Sequence, residues 1–523
     1  MYRVERKRTA HGPELVFATP FNMTSALIDR HIDEGRGAKT AIVTLEETVS
    51  YADLAKATNR FGNAMLGLGF RPGDRVLMIL KGAPEFFYAF FGAVKAGLIP
   101  VPLNTLLKAA DYAFIMTDSG AKGLVYSSEF APEIEAALGQ CTPPSRVLPM
   151  MGPDGLAALA ANAASDLSPV PSTAESDCFW LYSSGTTGRP KGVIHVHRDV
   201  IAVSQLYAVD VGGVEESDLF YSTFPLFFAA GLGCGALFPL WVGATTIVDG
   251  RRPSPPIAVE IIQRFRPTYF AAVPTFYAAL LASNLIGRDG LSSIKRCITG
   301  GEALPAEIQR QWCALAPVPI MEGIGSTESL HIYITNRTGD VKELSTGRAV
   351  PGYQIRILDD AGKEVPPGEQ GRMWVKGPSV TRGYWNNPER NATHLVDGWL
   401  NTGDTFVRDA EGYYYFAGRS DDMLKVGGIW VSPFEIESAL FDHPKVLEAA
   451  VVGRRDEAGL FKPEAWVVLK SPSDAGDDLA EDLRQHCRTR LAAYKYPRWF
   501  NFVTELPKTA TGKIQRFKLR KVD

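Results

Sequence analysis

The sequence predicts an α/β protein: a large N-terminal domain of doubly wound parallel sheets with a β-rich subdomain, followed by a small α+β C-terminal domain. Three observations predict it. Up to about Val350, short β-branched runs alternate with longer helical patterns, the signature of βα units whose helices cover both faces of a parallel sheet. Beyond Val350 the runs lie close together and are separated by glycine turns, as in a meander of strands. From Ser432 onward the order becomes helix, strand, strand, helix and a basic tail, which suits a compact terminal domain.

The first clear unit is DRVLMIL (Asp74 to Leu80) as a strand, PEFFYAFFGAVKAG (Pro84 to Gly97) as a helix and LIPVPLN as the next strand. Strand patterns return at Ala121 to Ser127, Gly243 to Asp249, Pro267 to Val273 and Ile294 to Gly300. The β-rich part is carried by YQIRILDDAGKEV, GRMWVKG and DGWLNTGDTFVRDAEGYYYFAGR. In the last region PFEIESALFDH and AEDLRQHCRTRLAAY read as helices, and VLEAAVVG and EAWVVLK as strands. Turn formers and charges cluster without apolar periodicity from Gly418 to Gly428, so the domain boundary is placed there, giving 1–420 and 421–523.

Composition narrows the class. The 523 residues are 46% hydrophobic and 22% charged, which is globular, and 55 basic against 58 acidic residues leave a net charge of -3, so no polyanion-binding surface is expected. Nucleic acid is not a favoured partner. Six scattered cysteines without a Cys-x-x-Cys pair argue against a disulfide framework and a zinc site, and fit a reducing cytoplasm. The basic N-terminus lacks an apolar h-region, so export is not expected. Phe220 to Val248 carries no charge, but Pro225 and Pro239 punctuate it and Gly231, Gly233, Gly235 and Gly243 interrupt it, which predicts a buried helix and no membrane span.

The most informative segment is LYSSGTTGRPKGVIHVH, Leu181 to His197. Hydroxyls and open backbone N–H groups can wrap phosphate oxygens, and a following lysine adds positive charge. It is no Walker A motif, because Lys191 is followed by Gly192 and the glycine spacing differs. SSGTTGRPKG resembles the signature loop of the adenylate-forming superfamily. GGEALP (Gly300 to Pro305), GIGSTES (Gly323 to Ser329), TGD (Thr402 to Asp404), GRSDDMLKVGG (Gly418 to Gly428) and PKTATGKIQR (Pro507 to Arg516) follow in that superfamily's order. With LFFAAGLG and DDMLKVGGIWVSPFEIE, the chain is most similar to benzoate:CoA ligases.

The resemblance implies an AMP-forming acid:thiol ligase using ATP, Mg²⁺ and coenzyme A. An aromatic carboxylic acid, benzoate or a hydroxy- or amino-benzoate, would attack the α-phosphate, and CoA would then displace AMP. Ser183, Ser184, Gly185, Thr186, Thr187 and Lys191 would cradle the pyrophosphate. Thr327 would touch the α-phosphate beside Gly325 and Ser326, and Glu328 would bind Mg²⁺, a hard cation suited to oxygen ligands. Asp404 and Arg419 would hold the ribose, while Gly301, Glu302 and Ala303 would pass beside an adenine whose other face meets aliphatic Ile324. Lys513 would bridge the carboxylate and the α-phosphate as charge builds. Asp421 would be the hinge that withdraws Lys513 and brings Lys425, Gly427 and Gly428 to the thiol tunnel.

Phe228, Ala229, Ala230, Ser329, His331 and Ile332 would line the acid pocket. Small and apolar walls suit a flat ring. Ala230, where benzoate ligases can carry tyrosine, leaves room for a substituent that Ser329 and His331 would hydrogen-bond; His331 reads equally as a structural histidine.

Other classes fare worse. No Gly-x-Ser-x-Gly elbow marks a serine hydrolase, and GLGCGA (Gly231 to Ala236) lacks the dinucleotide-binding spacing. A degenerate, non-enzymatic relative would have lost an active-site residue, and Lys513, Glu328, Asp404, Arg419 and Lys191 are all present. Another cyclic or medium-chain acid, or transfer to a carrier protein, remains an alternative; the lack of a fused carrier pattern favours free CoA. The context of Lys513 also resembles sites at which a protein acetyltransferase switches related ligases off by removing the lysine charge. A cytoplasmic monomer or homodimer is expected.

Overall fold

The computed structural model describes residues 2–9, 12–183, 189–419, 422–426, 429–456, 460–492, 495–508 and 514–520. Its centre is a nine-stranded sheet. Six neighbouring strands run parallel there: Ile320–Gly325, Arg296–Thr299, Tyr269–Ala271, Leu219–Ser222, Thr245–Ile247 and Thr40–Val43. Antiparallel strands close both margins, Thr48–Ser50 on one side and Ile332–Thr335 with Arg348–Ala349 on the other. A second, wholly parallel sheet is ordered Ile99–Pro102, Arg75–Ile79, Gly123–Tyr126 and Arg146–Pro149. The runs read as alternating strands and helices are these strands and their crossovers.

The first crossover shows how sequence makes the element. Pro84 occupies the first turn of the Pro84–Lys95 helix, where its missing N–H costs nothing, and Phe86, Phe87, Phe90 and Phe91 are all buried. Phe90 packs edge-on to Phe91 at 5.2 Å and against Phe179 at 5.4 Å, tying the helix to the strand Asp177–Ser183. Each buried ring contributes on the order of 2–3 kcal/mol by leaving water. The long uncharged segment is three pieces: the strand Leu219–Ser222, a helical run from Ala229 to Val242 with a π-helical centre at Gly233–Leu237, and the strand Thr245–Ile247. The glycines do not interrupt that helix. Gly233 faces the His331 ring so closely that a Cβ would stand 2.4 Å from its Cδ2, so glycine is there to admit the ring. No described helix is long and apolar enough to cross a membrane.

The β-rich part is an antiparallel sheet in which Gln370–Lys376 lies between Gln354–Leu358 and Trp399–Arg408, with Tyr414–Arg419 beyond. In the last region, Val446–Arg455 and Phe461–Leu469 pair antiparallel, and Trp499–Val503, a strand absent from the sequence reading, adds in parallel. The Pro433–Phe441 and Asp477–Arg490 helices pack there over their own core of Ile436, Leu440, Val451, Val467 and Leu483. In the basic N-terminus, Val4–Thr9 and Gly12–Phe17 form a hairpin.

Candidate functional site

Parallel strands gather the candidates. Phe228–Ala230 follow the strand Leu219–Ser222, Gly301–Ala303 follow Arg296–Thr299, and Gly325–Ser329 end or follow Ile320–Gly325, so all three groups lie past the C-terminal ends of one sheet. Open α/β sheets form ligand crevices at such ends, because loops diverge there while the strands hold their roots fixed.

Ser183 and Lys191 face each other as register partners, closing Asp177–Ser183 onto Lys191–Val196. Both ends of the phosphate loop are thereby pinned; Ser184, Gly185, Thr186 and Thr187 lie outside the described residues. The Thr327–Ser329 turn sits against the second of these strands. It is a single 3₁₀ turn whose Ser326 hydroxyl accepts from the Ser329 N–H. Four further groups hold it: His195 Nε2 meets the Thr327 carbonyl at 2.8 Å, the Thr381 N–H donates to the Glu328 carbonyl at 2.7 Å, the Ser379 hydroxyl donates to the Ser329 carbonyl at 2.6 Å, and the Tyr384 hydroxyl donates to Glu328 Oε1 at 2.9 Å. The Glu328 carboxylate is therefore oriented before any ligand arrives. Among the described residues no group of three or more His, Cys, Asp and Glu side chains could hold a metal. One aimed carboxylate fits Mg²⁺, which takes its remaining ligands from phosphate and water.

Asp404 and Arg419 are directly opposite each other across Trp399–Arg408 and Tyr414–Arg419, so two residues fifteen apart in sequence meet by register. On the other side, Gly301 has φ +89°, the left-handed region that glycine enters without steric cost. Between Leu304 and Ile324 lies a residue the sequence reading passed over. Glu322 is buried on the strand Ile320–Gly325, and burial pushes its carboxyl up to about 8 against an opposing hydrogen bond from the Leu304 backbone. Its signal in sequence was a lone carboxylate inside an otherwise apolar strand.

The acid-pocket residues separate into two kinds. Phe228 and Ala230 are half-buried, Ala229 and Ile332 buried. Ser329 is fully buried and its hydroxyl is spent locally, donating to the His331 carbonyl at 2.8 Å, so it is not offered to a ring substituent as expected. His331 lies in a cage of rings, stacked on Tyr207 at 5.3 Å and edge-on to Phe238 at 4.6 Å, with the Cys234 thiol 3.7 Å from Nε2. Burial pushes its pKa down to about 3, partly offset by the Ala230 carbonyl, so the ring is neutral. Among the described residues the buried Tyr207 hydroxyl meets no hydrogen-bond partner. Sequence reasoning missed Tyr207 because its position on an apolar helix reads as core.

Residues 29–385 match the AMP-binding enzyme family, and 435–513 match the AMP-binding enzyme C-terminal domain. The chain belongs to the AMP-binding enzyme family. This AMP-binding enzyme is 45% identical to a benzoate–CoA ligase of Thauera aromatica over 97% of each chain. Its fold superposes on a benzoate CoA ligase from Burkholderia xenovorans with a TM-score of 0.90 at 41% identity, covering 96% of this chain and 100% of that one. An anthranilate CoA ligase in complex with anthranoyl-AMP gives 0.92 at 41% identity, over 96% and 97%.

In the C-terminal part of this AMP-binding enzyme, Asp421, Gly427, Gly428 and Lys513 lie outside the described residues, and Lys425 is placed by its backbone in the Leu424–Val426 strand. What flanks them is described. Arg516 reaches Glu437 at 2.7 Å and stands 3.7 Å from Asp422, so the segment after Lys513 is tied to the segment after Asp421. Among the described residues, contacts to the rest of the chain include Phe434 edge-on to Phe416 at 5.9 Å and Asp442 paired with Arg310 at 3.2 Å.

Proposed function

We propose that this enzyme is an ATP-dependent aryl-CoA ligase acting on benzoate or a hydroxy- or amino-benzoate. The observation that supports the aryl reading is the packed cluster of Tyr207, His331 and Phe238, in which His331 follows the Thr327–Ser329 turn by two residues. Packed rings favour a flat aromatic acid over a long alkyl chain, which needs a tunnel.

In the first half-reaction the substrate carboxylate oxygen attacks the α-phosphorus of ATP and the bond to the bridging oxygen breaks, giving acyl-AMP and pyrophosphate. Phosphoryl transfer asks the protein for positioning and charge compensation more than for covalent chemistry. Lys191 with the loop from Ser183 would hold the departing phosphates, Thr327 the α-phosphate, Asp404 and Arg419 the ribose, and Lys513 the growing charge between carboxylate and phosphate. Mg²⁺ held by Glu328 would neutralise phosphate charge. In the second half-reaction the CoA thiol, losing its proton, attacks the acyl carbon and AMP leaves with the electron pair. Domains at 1–420 and 421–523, hinged at Asp421, would exchange Lys513 for the Lys425–Gly428 strand between the two.

The test is pyrophosphate release with Mg-ATP across benzoate, its hydroxy and amino derivatives, cyclohexanecarboxylate and a fatty acid, with and without CoA. Aryl-acid-dependent release whose turnover requires CoA, lost in Lys513→Ala, is expected. Response to the fatty acid alone would overturn the aryl assignment.

A further inference from the structure

One buried ion-pairing group near the site has no role in the reaction just described. His195 lies on Lys191–Val196, the strand that leaves the phosphate loop, and is fully buried. Its Nδ1 is 2.9 Å from Asp199 Oδ2, and its Nε2 is 2.8 Å from the backbone carbonyl of Thr327, 132 residues away. A carbonyl only accepts, so Nε2 must carry a hydrogen. The Asp199 carboxylate likewise only accepts, so Nδ1 donates to Oδ2, which also accepts the Val196 N–H at 3.1 Å, and both ring nitrogens act as donors. Asp199 Oδ1 makes no hydrogen bond among the described residues, and the Arg198 guanidinium stands 3.7 Å from it. Burying a carboxylate this deeply is costly without a strong partner, which argues that the pair is retained for what the ring does.

The ring spans two parts of the site that no covalent path connects closely. One end is rooted in the strand that carries Lys191; the other grips the turn that carries Thr327 and Glu328. The same strand grips the turn a second way, since the Ile194 carbonyl accepts the Thr381 hydroxyl at 2.5 Å and Thr381 holds Glu328 through its N–H. The geometry points to His195 as a positioning residue of adenylation: held by Asp199, it sets the Thr327–Glu328 turn in register with the phosphate loop. Groups on the α-phosphate and on the departing pyrophosphate then keep their spacing while the bond between those phosphates breaks. This rests on the adenylation reading given above.

The experiment compares His195→Gln, whose amide can still donate to the Thr327 carbonyl, with His195→Asn, which is too short to do so. Benzoate-dependent ATP–pyrophosphate exchange is expected to fall about twentyfold or more in His195→Asn and only about threefold in His195→Gln, the scale of one buried hydrogen bond in a charged pair. If His195 acts through the turn, adding His195→Asn to Thr327→Ala costs much less than it does alone, because both changes remove one function. Hydrogen exchange of the Leu330 amide, which closes the turn onto the Thr327 carbonyl at 3.1 Å, gives a readout that needs no substrate. It should quicken in His195→Asn and not in His195→Gln. Should His195→Asn fail to fold, Asp199→Asn, which leaves the ring in place, is expected to quicken the same amide. Equal losses in the two histidine variants, additive costs, or an unchanged Leu330 amide would each overturn the proposal. Wild-type protein inactive with every benzoate would sink the aryl-ligase reading instead, and amide exchange would still decide this one.

Discussion

Single side chains decide the chemistry of the pocket and its response to pH. Glu322 is the clearest case. Its carboxyl is raised to about 8 in the folded protein from an ordinary 4.5, so the folded state holds a proton that the unfolded chain has lost between those values. Stability from this group is complete below pH 4.5 and drains away as pH rises through 8. Between pH 6 and 9 the loss should be roughly 2–3 kcal/mol. Glu322→Gln, which cannot ionise, is expected to flatten that decline, and urea unfolding at the two pH values measures it. Tyr207 is where a specificity role can be tested. Its unpartnered hydroxyl beside His331 invites a hydrogen-bonding substituent on the ring, so Tyr207→Phe should lower kcat/KM for amino- or hydroxy-benzoates relative to benzoate by about tenfold, the worth of one buried hydrogen bond. A ratio unchanged in steady-state kinetics would leave the Tyr207 hydroxyl without that role.

At the scale of elements, function depends on how strands and helices bring distant residues to one place. Asp404 and Arg419 meet only because Trp399–Arg408 and Tyr414–Arg419 pair in one register. Asp404→Asn preserves the strand while removing the charge, and is expected to raise KM for ATP about tenfold with little change in melting temperature. The helical run from Ala229 to Val242 acts by closeness. A methyl at Gly233 would fall 2.4 Å from the His331 ring, and overpacking at this scale costs about 1–3 kcal/mol. Gly233→Ala should therefore lower the melting temperature and, if the displaced His331 ring lines the acid pocket as proposed, raise KM for the aryl acid with it.

For the whole molecule, the question is what holds the C-terminal region against the rest. Arg310 pairs with Asp442 but is half exposed and shares itself with Glu307 and Glu343, and such surface pairs contribute about 0–1 kcal/mol. Arg310→Gln is expected to leave turnover within about twofold, since so weak a tie neither locks nor drives a swing. Lys513→Ala should behave in the opposite way. It should abolish acyl-AMP formation yet leave thioester formation from preformed acyl-AMP near wild type, a split that rapid-quench measurement of the two half-reactions resolves.

The sequence by itself determined the βα alternation, the β-rich segment and the family, because these rest on local periodicity and on short motifs whose chemistry is carried by neighbouring residues. It singled out Thr327, Glu328, Lys191 and Asp404 as candidates for the same reason. It did not disclose the hairpin of Val4–Thr9 with Gly12–Phe17, the Trp499–Val503 strand, or that the buried helix expected in the uncharged segment runs unbroken through Gly231 to Gly235, since each is stabilised by what lies across from it in space. Only the tertiary structure decided that the Ser329 hydroxyl is spent on its own turn, that Glu322 is buried without a counter-charge, that Tyr207 stacks on His331, and that His195 grips Thr327 across 132 residues. Burial and hydrogen-bond pairing are properties of neighbours in space, and a linear pattern cannot say which donor a distant carbonyl will meet.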